Sequence, residues 1–271
     1  MAAPIFAINH VAAPNLRPAA FFQLAVALGL RDVEIRNDLG GNAIIDGTAA
    51  TEMKALSKAA GVRIATINAL QRFNEWTPER EHEAIELADY ARDAGAAALV
   101  LVPVNDGTGQ EEGERQTNLR KALTALKPIL ESRGLLGFVE PLGFEICSLR
   151  SKGEAAHAIE AIGGKACFKL VHDTFHHHLA GEPEFFPDLT GLVHISGVTD
   201  PHVSIDDMRD PHRVLVDEND RLGNVDQIRA LLNQGYKGLF SFEPFAEEVQ
   251  KMADPARAIS ASMAWINTRL S

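Results

Sequence analysis

The sequence predicts an α/β fold, a single (β/α)8 TIM-barrel domain that spans residues 1–271. Short apolar runs recur along the chain, helical patterns separate them, and a length of 271 residues is typical of one such barrel. The alternative α/β architecture is a doubly wound sheet. That fold usually carries a glycine-rich phosphate loop after its first strand, and the segment NHVAAPNL contains none. The barrel is therefore the favoured fold class.

The predicted strands are near-continuous apolar runs, which are typical of parallel strands covered on both faces. A closed barrel of this type needs eight strands, each followed by a helix. The sequence supplies eight runs, at residues 5–9, 32–36, 62–68, 98–104, 135–140, 167–173, 191–196 and 238–243.

Helical patterns lie between these runs. The clearest begins at Thr77-Pro78, where a threonine can cap the helix and proline suits its first turn, and it ends before Gly95. Further helices are predicted at residues 111–131, 154–162, 225–234 and 246–270. The longest irregular stretch, residues 196–224, is rich in Asp, His, Arg and Pro. A loop of this length in a compact domain is usually functional.

The charge balance excludes several function classes. The chain has 26 Lys and Arg residues against 37 Asp and Glu residues, which gives a net charge of −11. Such an acidic chain is a poor candidate for binding nucleic acid or an anionic membrane surface. No apolar run reaches the roughly 18 residues of a membrane span, and the N-terminus lacks the features of a secretory signal. Two cysteines without a CxxC motif predict reduced thiols, so we expect a cytoplasmic protein.

Ionisable side chains lie at the ends of the last four predicted strands, where the active site of such a barrel forms. A single glutamate at a strand end is more often salt-bridged than metal-bound, and a lone histidine in an apolar strand is more often a core residue. A matching set of three carboxylates and one imidazole favours a divalent ion, with Mn²⁺ expected and Mg²⁺, Co²⁺ or Zn²⁺ as alternatives. The candidate ligands are Glu140, Asp173, His194 and Glu243.

Further polar residues at strand ends and in the long loop are candidates for binding substrate hydroxyls. His176 lies three residues after Asp173, so it can contact either the substrate or the metal ligands. Arg36 has an equally strong alternative interpretation as an ion-pair partner of Asp38 or Glu34. The candidate substrate-binding residues are His176, Arg213, Asn68 and Arg36.

The motifs FVEP, HDTFH, VHISG and FSFEP resemble those of the xylose-isomerase-like TIM barrels, the sugar phosphate isomerase/epimerase superfamily that also contains endonuclease IV. The resemblance covers the whole chain. It implies that Glu140, Asp173, His194 and Glu243 bind one divalent metal ion, and that Glu140 and Glu243 act as acid and base on opposite faces of the substrate. The phrases VEIRND, INALQRFN, VPVNDG and VEPLGFEICSLRSK are most similar to those of inosose (2-keto-myo-inositol) isomerases.

The sequence departs from the family pattern in two places. Related epimerases often carry an arginine shortly after the histidine of strand seven, where this chain reads HISGVTDPH. We expect Arg213 to take that role from the long loop. The usual Pro- and Gly-rich turn before the last helix is replaced by DRLGNVD. Both departures concern the identity of the polyol and leave the expected metal ligands intact.

The resulting hypothesis is a divalent-metal-dependent isomerase or epimerase of a keto-polyol, such as 2-keto-myo-inositol, that acts through a metal-stabilised enediolate with two glutamates as acid and base. One alternative is a dehydratase of a keto-cyclitol on the same scaffold, and another is a barrel that binds sugar without turnover. The charge of −11 argues against a DNA-repair nuclease. The expected partner is a small-molecule keto-polyol, and a homo-oligomer is left open because barrels of this family commonly assemble.

Overall fold

Eight parallel strands in the described part of the chain close into a barrel, in the order in which they occur along the sequence. The computed structural model of the protein describes residues 3–39, 44 and 47–271. The strands are β1 (Ile5–Asn9), β2 (Asp32–Arg36), β3 (Arg63–Gln71), β4 (Ala98–Val102), β5 (Leu136–Val139), β6 (Phe168–Asp173), β7 (Thr190–Ile195) and β8 (Leu239–Phe242). The β1–β8 pairing closes the barrel, so the predicted (β/α)8 fold is confirmed.

Helices surround the barrel and connect its strands. They are α1 (Pro18–Ala27), α2 (Ala50–Ala60), α3 (Pro78–Ala94), α4 (Glu114–Glu131), α5 (Lys152–Ala161), α6 (Thr174–Ala180), α7 (Asn224–Asn233), α8 (Glu247–Gln250) and α9 (Pro255–Leu270). As predicted, Thr77 caps α3 through its side chain, and Gly95 ends the helix in the left-handed conformation. Among the described residues, none of the helices is long and apolar enough to cross a membrane.

The sequence reasoning missed three helices and merged two others. The α1 segment PAAFFQLAVA is apolar almost throughout, so it lacks the periodicity of an amphipathic helix. No helix was predicted over α2 or over α6, which has only seven residues. The predicted helix at 246–270 is two helices, because Asp254 caps a new helix that begins at Pro255.

A small apolar cluster fills part of the barrel interior below the C-terminal strand ends. It consists of Ala69, Ala98, Val100, Phe138, Val171 and Leu192. Side chains along a strand alternate between its two faces, so the residues two positions further along β5, β6 and β7 point the same way. Those positions are Glu140, Asp173 and His194. The apolar cluster is therefore the floor on which the ionisable residues lie.

The predicted irregular stretch between β7 and α7 is confirmed, with short 3₁₀ turns at Ile205–Asp207 and Asp210–His212. A backbone bridge fastens this loop to the end of β7, because Gly197 and Val214 exchange N–H···O bonds of 2.7 and 2.8 Å. The bridge returns the chain to the barrel mouth, where Arg213 is almost fully buried.

Candidate metal centre

The four predicted ligand residues converge at the C-terminal end of the barrel. One ligand atom from each of Glu140, Asp173, His194 and Glu243 lies within 4.8 Å of the others, and all four side chains are buried. Nδ1 of His194 faces the carboxylates, at 2.7 Å from Oε1 of Glu140, 3.2 Å from Oε2 of Glu243 and 3.9 Å from Oδ2 of Asp173. Three carboxylates and one imidazole in this arrangement fit a single divalent cation.

Strand register brings these residues together. Asp173 on β6 pairs with His194 on β7, and His194 pairs with Ser241 on β8. Glu140 and Glu243 directly follow strands, but their backbone N–H groups still donate to Leu101 and Ile195 at 3.1 and 2.9 Å. The backbone that carries each ligand is therefore held by the hydrogen bonds of the sheet.

The two oxygens of Asp173 have different partners. Oδ1 accepts the backbone N–H groups of Phe175 and His176 at 2.7 and 3.0 Å, and so caps α6. Oδ2 lies 2.6 Å from Nη2 of Arg213. Burial opposes ionisation of Asp173, but the charges of Arg213, His176 and His194 outweigh it and hold the pKa of Asp173 well below its usual range. The carboxylate is therefore ionised, with one oxygen directed to the site.

Two buried arginines flank Glu243. Nη1 of Arg36 lies 2.8 Å from Oε1, and Nη2 of Arg213 lies 3.0 Å from Oε2. Each guanidinium also has an aspartate partner at the cavity mouth: Arg36 binds Asp38 through two bonds of 2.7 and 2.8 Å, and Arg213 binds Asp210 at 3.2 Å. Of the interpretations for Arg36, the ion pair with Asp38 forms, and the same side chain also reaches the metal centre.

The electrostatics of the centre indicate an excess of negative charge. Burial raises the pKa of Glu243 to about 7, and the charge of Glu140 adds to the rise against the opposing effect of nearby cations. Burial disfavours the charged form of His194, but Glu243, Glu34 and Glu140 raise the pKa of His194 well above its usual range. Protons are thus held where a cation would bind, and metal binding in such sites displaces them.

A cavity of about 350 Å³ is lined by two of the four candidate ligands, Glu140 and Glu243, and its volume is in the range of small-molecule sites. Nδ1 of His176 is buried there without a hydrogen-bond partner in the described part of the chain. The ring of Phe245 forms a wall beside the guanidinium carbons of Arg36 and Arg213, whose distances to its centroid are 5.2 and 4.7 Å. The predicted substrate-binding residues that line the cavity are Arg36, Asn68, His176 and Arg213.

Sequence reasoning did not assign Glu34, on β2, to the site. This side chain is fully buried, and its Oε2 lies 3.1 Å from Nε2 of His194. The same oxygen accepts hydrogen bonds from Thr66 at 2.6 Å and from Asn68 at 2.8 Å, so the amide nitrogen of Asn68 is already engaged. Burial opposes ionisation of Glu34, but the charge and hydrogen bond of His194 lower its pKa to about 2. Strand alternation could have pointed to Glu34, because it lies two residues before the candidate Arg36 and therefore on the same face of β2.

The family model for the xylose isomerase-like TIM barrel matches residues 22–269. The chain belongs to this family. A curated member, inosose isomerase of Halalkalibacterium halodurans, is 28% identical over 214 residues, which are 74% of this chain and 73% of that protein. The crystal structure of a xylose isomerase domain-containing protein from Salmonella typhimurium LT2 has a TM-score of 0.91 and 33% identity, and the match covers 100% of this chain and 99% of that chain.

The IolI protein, whose crystal structure contains a zinc atom, has the same fold as this xylose isomerase-like barrel. Its TM-score is 0.86 at 18% identity, over 98% of this chain and 99% of that chain. At this identity the similarity concerns the fold alone. The family membership therefore rests on the family model and on the Salmonella structure, and it confirms the family predicted from the sequence.

Proposed function

We propose that the chain is a divalent-metal-dependent isomerase or epimerase of a keto-polyol, with 2-keto-myo-inositol as the first substrate to test. The observation that carries the proposal is the convergence of Glu140, Asp173, His194 and Glu243 within 4.8 Å at the base of a polar cavity. The similarity to an inosose isomerase, at 28% identity, supports the choice of substrate.

The residues of the centre fit one cation, which the three carboxylates and Nδ1 of His194 would hold. We favour Mn²⁺ because oxygen ligands dominate the set, with Zn²⁺, Mg²⁺ and Co²⁺ as alternatives. When bound, such an ion supplies a Lewis acid that polarises the substrate carbonyl, which is worth several kcal/mol.

Glu140 and Glu243 move the proton next to the ketone. One carboxylate removes it, and a carboxyl group returns a proton to the adjacent carbon. Positioned acid and base groups of this kind contribute about 10²–10⁴-fold to the rate.

The cavity walls orient the polyol. His176 lines the cavity, so its side chain can contact a substrate hydroxyl. Arg36 and Arg213 present guanidinium groups that are already neutralised by aspartates, so they donate hydrogen bonds with little net positive charge. Asn68 completes the wall, although its Nδ2 is engaged with Glu34.

Proton NMR in D₂O tests this function, with 2-keto-myo-inositol as substrate and Mn²⁺-loaded and chelator-treated protein side by side. We expect metal-dependent deuterium uptake beside the ketone and a new isomer with the same carbon skeleton. Loss of water from the substrate would instead identify a dehydratase. Saturable binding without deuterium uptake would contradict catalysis and identify a barrel that only binds sugar.

A further inference from the structure

A fully buried glutamate lies inside the barrel beside the metal centre. The interior of such barrels is usually filled by branched apolar side chains, whereas Glu34 is fully buried there. Three donors, from Thr66, Asn68 and His194, converge on its Oε2 at 2.6, 2.8 and 3.1 Å. A buried carboxylate without compensation is costly, so this site is built to hold one.

The two ring nitrogens of His194 face different groups. Nδ1 lies among the ligand carboxylates, at 2.7 Å from Glu140 and 3.2 Å from Glu243, whereas Nε2 lies 3.1 Å from Glu34. Oε2 of Glu34 already accepts hydrogen bonds from Thr66 and Asn68, so it is also the acceptor in its contact with His194, and Nε2 carries the proton. An imidazole that keeps its proton on Nε2 offers the lone pair of Nδ1 to a cation.

We propose that Glu34 is a positioning residue of the metal centre, which holds the proton of His194 on Nε2 and thereby presents Nδ1 as the ligand nitrogen. The inference rests on the metal site of the proposed function and is independent of the substrate. A carboxylate that accepts the second N–H of a ligating histidine orients the ring and makes it a more basic ligand. Loss of such a partner typically costs about 10- to 100-fold in metal affinity.

Two substitutions of Glu34 distinguish the effect of its acceptor oxygen from the effect of its negative charge. Glu34→Gln keeps an oxygen where the three donors converge but removes the charge of the carboxylate. Glu34→Leu removes the acceptor altogether. The matched control is Asp32→Asn, on the same strand and the same face, where a buried carboxylate binds Arg63 at 2.7 and 2.8 Å, away from the metal centre.

Titration calorimetry with Mn²⁺ measures the affinity, and circular dichroism with thermal unfolding checks that each variant is folded. We expect Glu34→Leu to weaken Mn²⁺ binding by about 10- to 100-fold, Glu34→Gln to recover part of the loss, and Asp32→Asn to stay within about twofold of the parent. In Zn²⁺-loaded parent protein labelled with ¹⁵N-histidine, the NMR spectrum is expected to show His194 protonated on Nε2 and bound to the metal through Nδ1.

Metal bound through Nε2 of His194, or folded Glu34 variants with the affinity of the parent, would overturn the inference. If Glu34→Leu does not fold, the NMR spectrum of the parent and the affinity of Glu34→Gln still decide it. A parent protein that binds neither Mn²⁺ nor Zn²⁺ would overturn both this inference and the metal site of the proposed function. Metal binding through Nδ1 without turnover of 2-keto-myo-inositol would leave the role of Glu34 standing and remove only the proposed substrate.

Discussion

Strand β6 carries two polar clusters on its opposite faces. Asp173 points inward to the metal centre, whereas its neighbour His172 points outward into what we name the outer cluster, formed by Lys152, His172, His177 and Gln227. Both clusters are largely buried and both contain histidine. They differ in the sign of the charge that surrounds each imidazole, and we propose that this difference separates a structural cluster from a site for a cation.

The side chains of the outer cluster form hydrogen bonds with one another. Nζ of Lys152 lies 2.9 Å from Nδ1 of both His172 and His177, and Nε2 of His172 lies 2.9 Å from Oε1 of Gln227. Burial lowers the pKa of His172 well below its usual range, and that of His177 to about 3. The two imidazoles are therefore neutral acceptors for one ammonium group. This cluster joins β6 to α5, α6 and α7 without need of a ligand.

The metal centre has the opposite character. Carboxylates surround His194, and its pKa is raised well above the usual range despite burial. Burial also raises the pKa of Glu243 to about 7, so this cluster binds protons in excess. A divalent cation relieves such crowding, and a neutral histidine pair beside a lysine has no use for one.

The largest expected effect is on turnover. Glu243→Gln keeps the shape of the side chain but removes the carboxylate that exchanges the proton. We therefore expect turnover to fall by about 10²–10⁴-fold or more, while the fold is retained. Deuterium uptake into 2-keto-myo-inositol measures it. Glu182→Gln, which alters a carboxylate that binds the backbone next to the outer cluster, is expected to keep turnover within about twofold. Full turnover by metal-loaded Glu243→Gln protein would contradict the assignment.

We name the four candidate ligands Glu140, Asp173, His194 and Glu243 the inner cluster. Metal addition is expected to stabilise the protein through this inner cluster alone. A ligand at about 100 times its Kd adds about 2.7 kcal/mol to the free energy of unfolding, which corresponds to a rise in Tm of about 5–10 °C for a chain of this size. Asp173→Asn keeps an acceptor for the N-terminus of α6 but loses a ligand charge, so we expect a much smaller rise. Scanning calorimetry with and without Mn²⁺ measures both.

Lys152→Met is the matched control for that experiment, because it alters the outer cluster and leaves the ligands in place. Its Tm is expected to rise with Mn²⁺ as much as that of the parent. An equal rise in Asp173→Asn, or no rise in Lys152→Met, would show that the two clusters are not distinct in the way proposed.

The strands and the ligands could be predicted because both depend on local patterns. Short, near-continuous apolar runs reveal the strands, and an acid such as Glu140 in FVEP stands out against its apolar flanks. Strands in a closed barrel end at one rim, so residues far apart in sequence meet without any further information. The fold class and the four candidate ligands follow from these two facts.

The supporting contacts could not be predicted in the same way. Glu34 and His194 are separated by 160 positions, and the pattern VEIR alone is equally compatible with an ordinary ion pair. The location of Arg213 depends on the bridge between Gly197 and Val214 inside a long irregular loop. The contact of His172 with Lys152 depends on the packing of α5 against β6. Each contact is set by tertiary geometry, for which the local sequence carries no period.

Disruption of the outer cluster is expected to lower the free energy of unfolding without weakening the affinity for Mn²⁺. Lys152→Met leaves two buried imidazole nitrogens without their donor, so we expect the free energy of unfolding to fall by about 1–3 kcal/mol, with Mn²⁺ affinity unchanged within about threefold. Chemical denaturation and calorimetry measure the two quantities. Lys165→Met, at an exposed ion pair with Glu160, is expected to change the stability by less than about 1 kcal/mol. A large loss of metal affinity in Lys152→Met would show that the outer cluster takes part in metal binding, which contradicts the proposed separation of the two clusters.

The smallest expected effect is a pH dependence of stability that comes from His177. Burial, followed by the charge of Lys152, lowers its pKa from 6.5 to about 3 in the folded protein. The unfolded chain therefore takes up a proton first, so this contribution to stability is complete above pH 6.5 and is lost progressively as the pH falls towards 3. For this half-buried side chain we expect a loss of about 1–2 kcal/mol at pH 5.

His177→Gln removes this titration, so the difference in stability between parent and variant is expected to shrink or reverse as the pH falls from about 7.5 to 5. Chemical denaturation of both proteins in chelator across this range measures it, because chelator removes any contribution of metal at the inner cluster. His82→Gln, at an exposed position on α3, is the control and is expected to follow the pH profile of the parent. Parallel pH profiles for the parent and His177→Gln would mean that the outer histidine is not held neutral, and the contrast between the two faces of β6 would then rest on geometry alone.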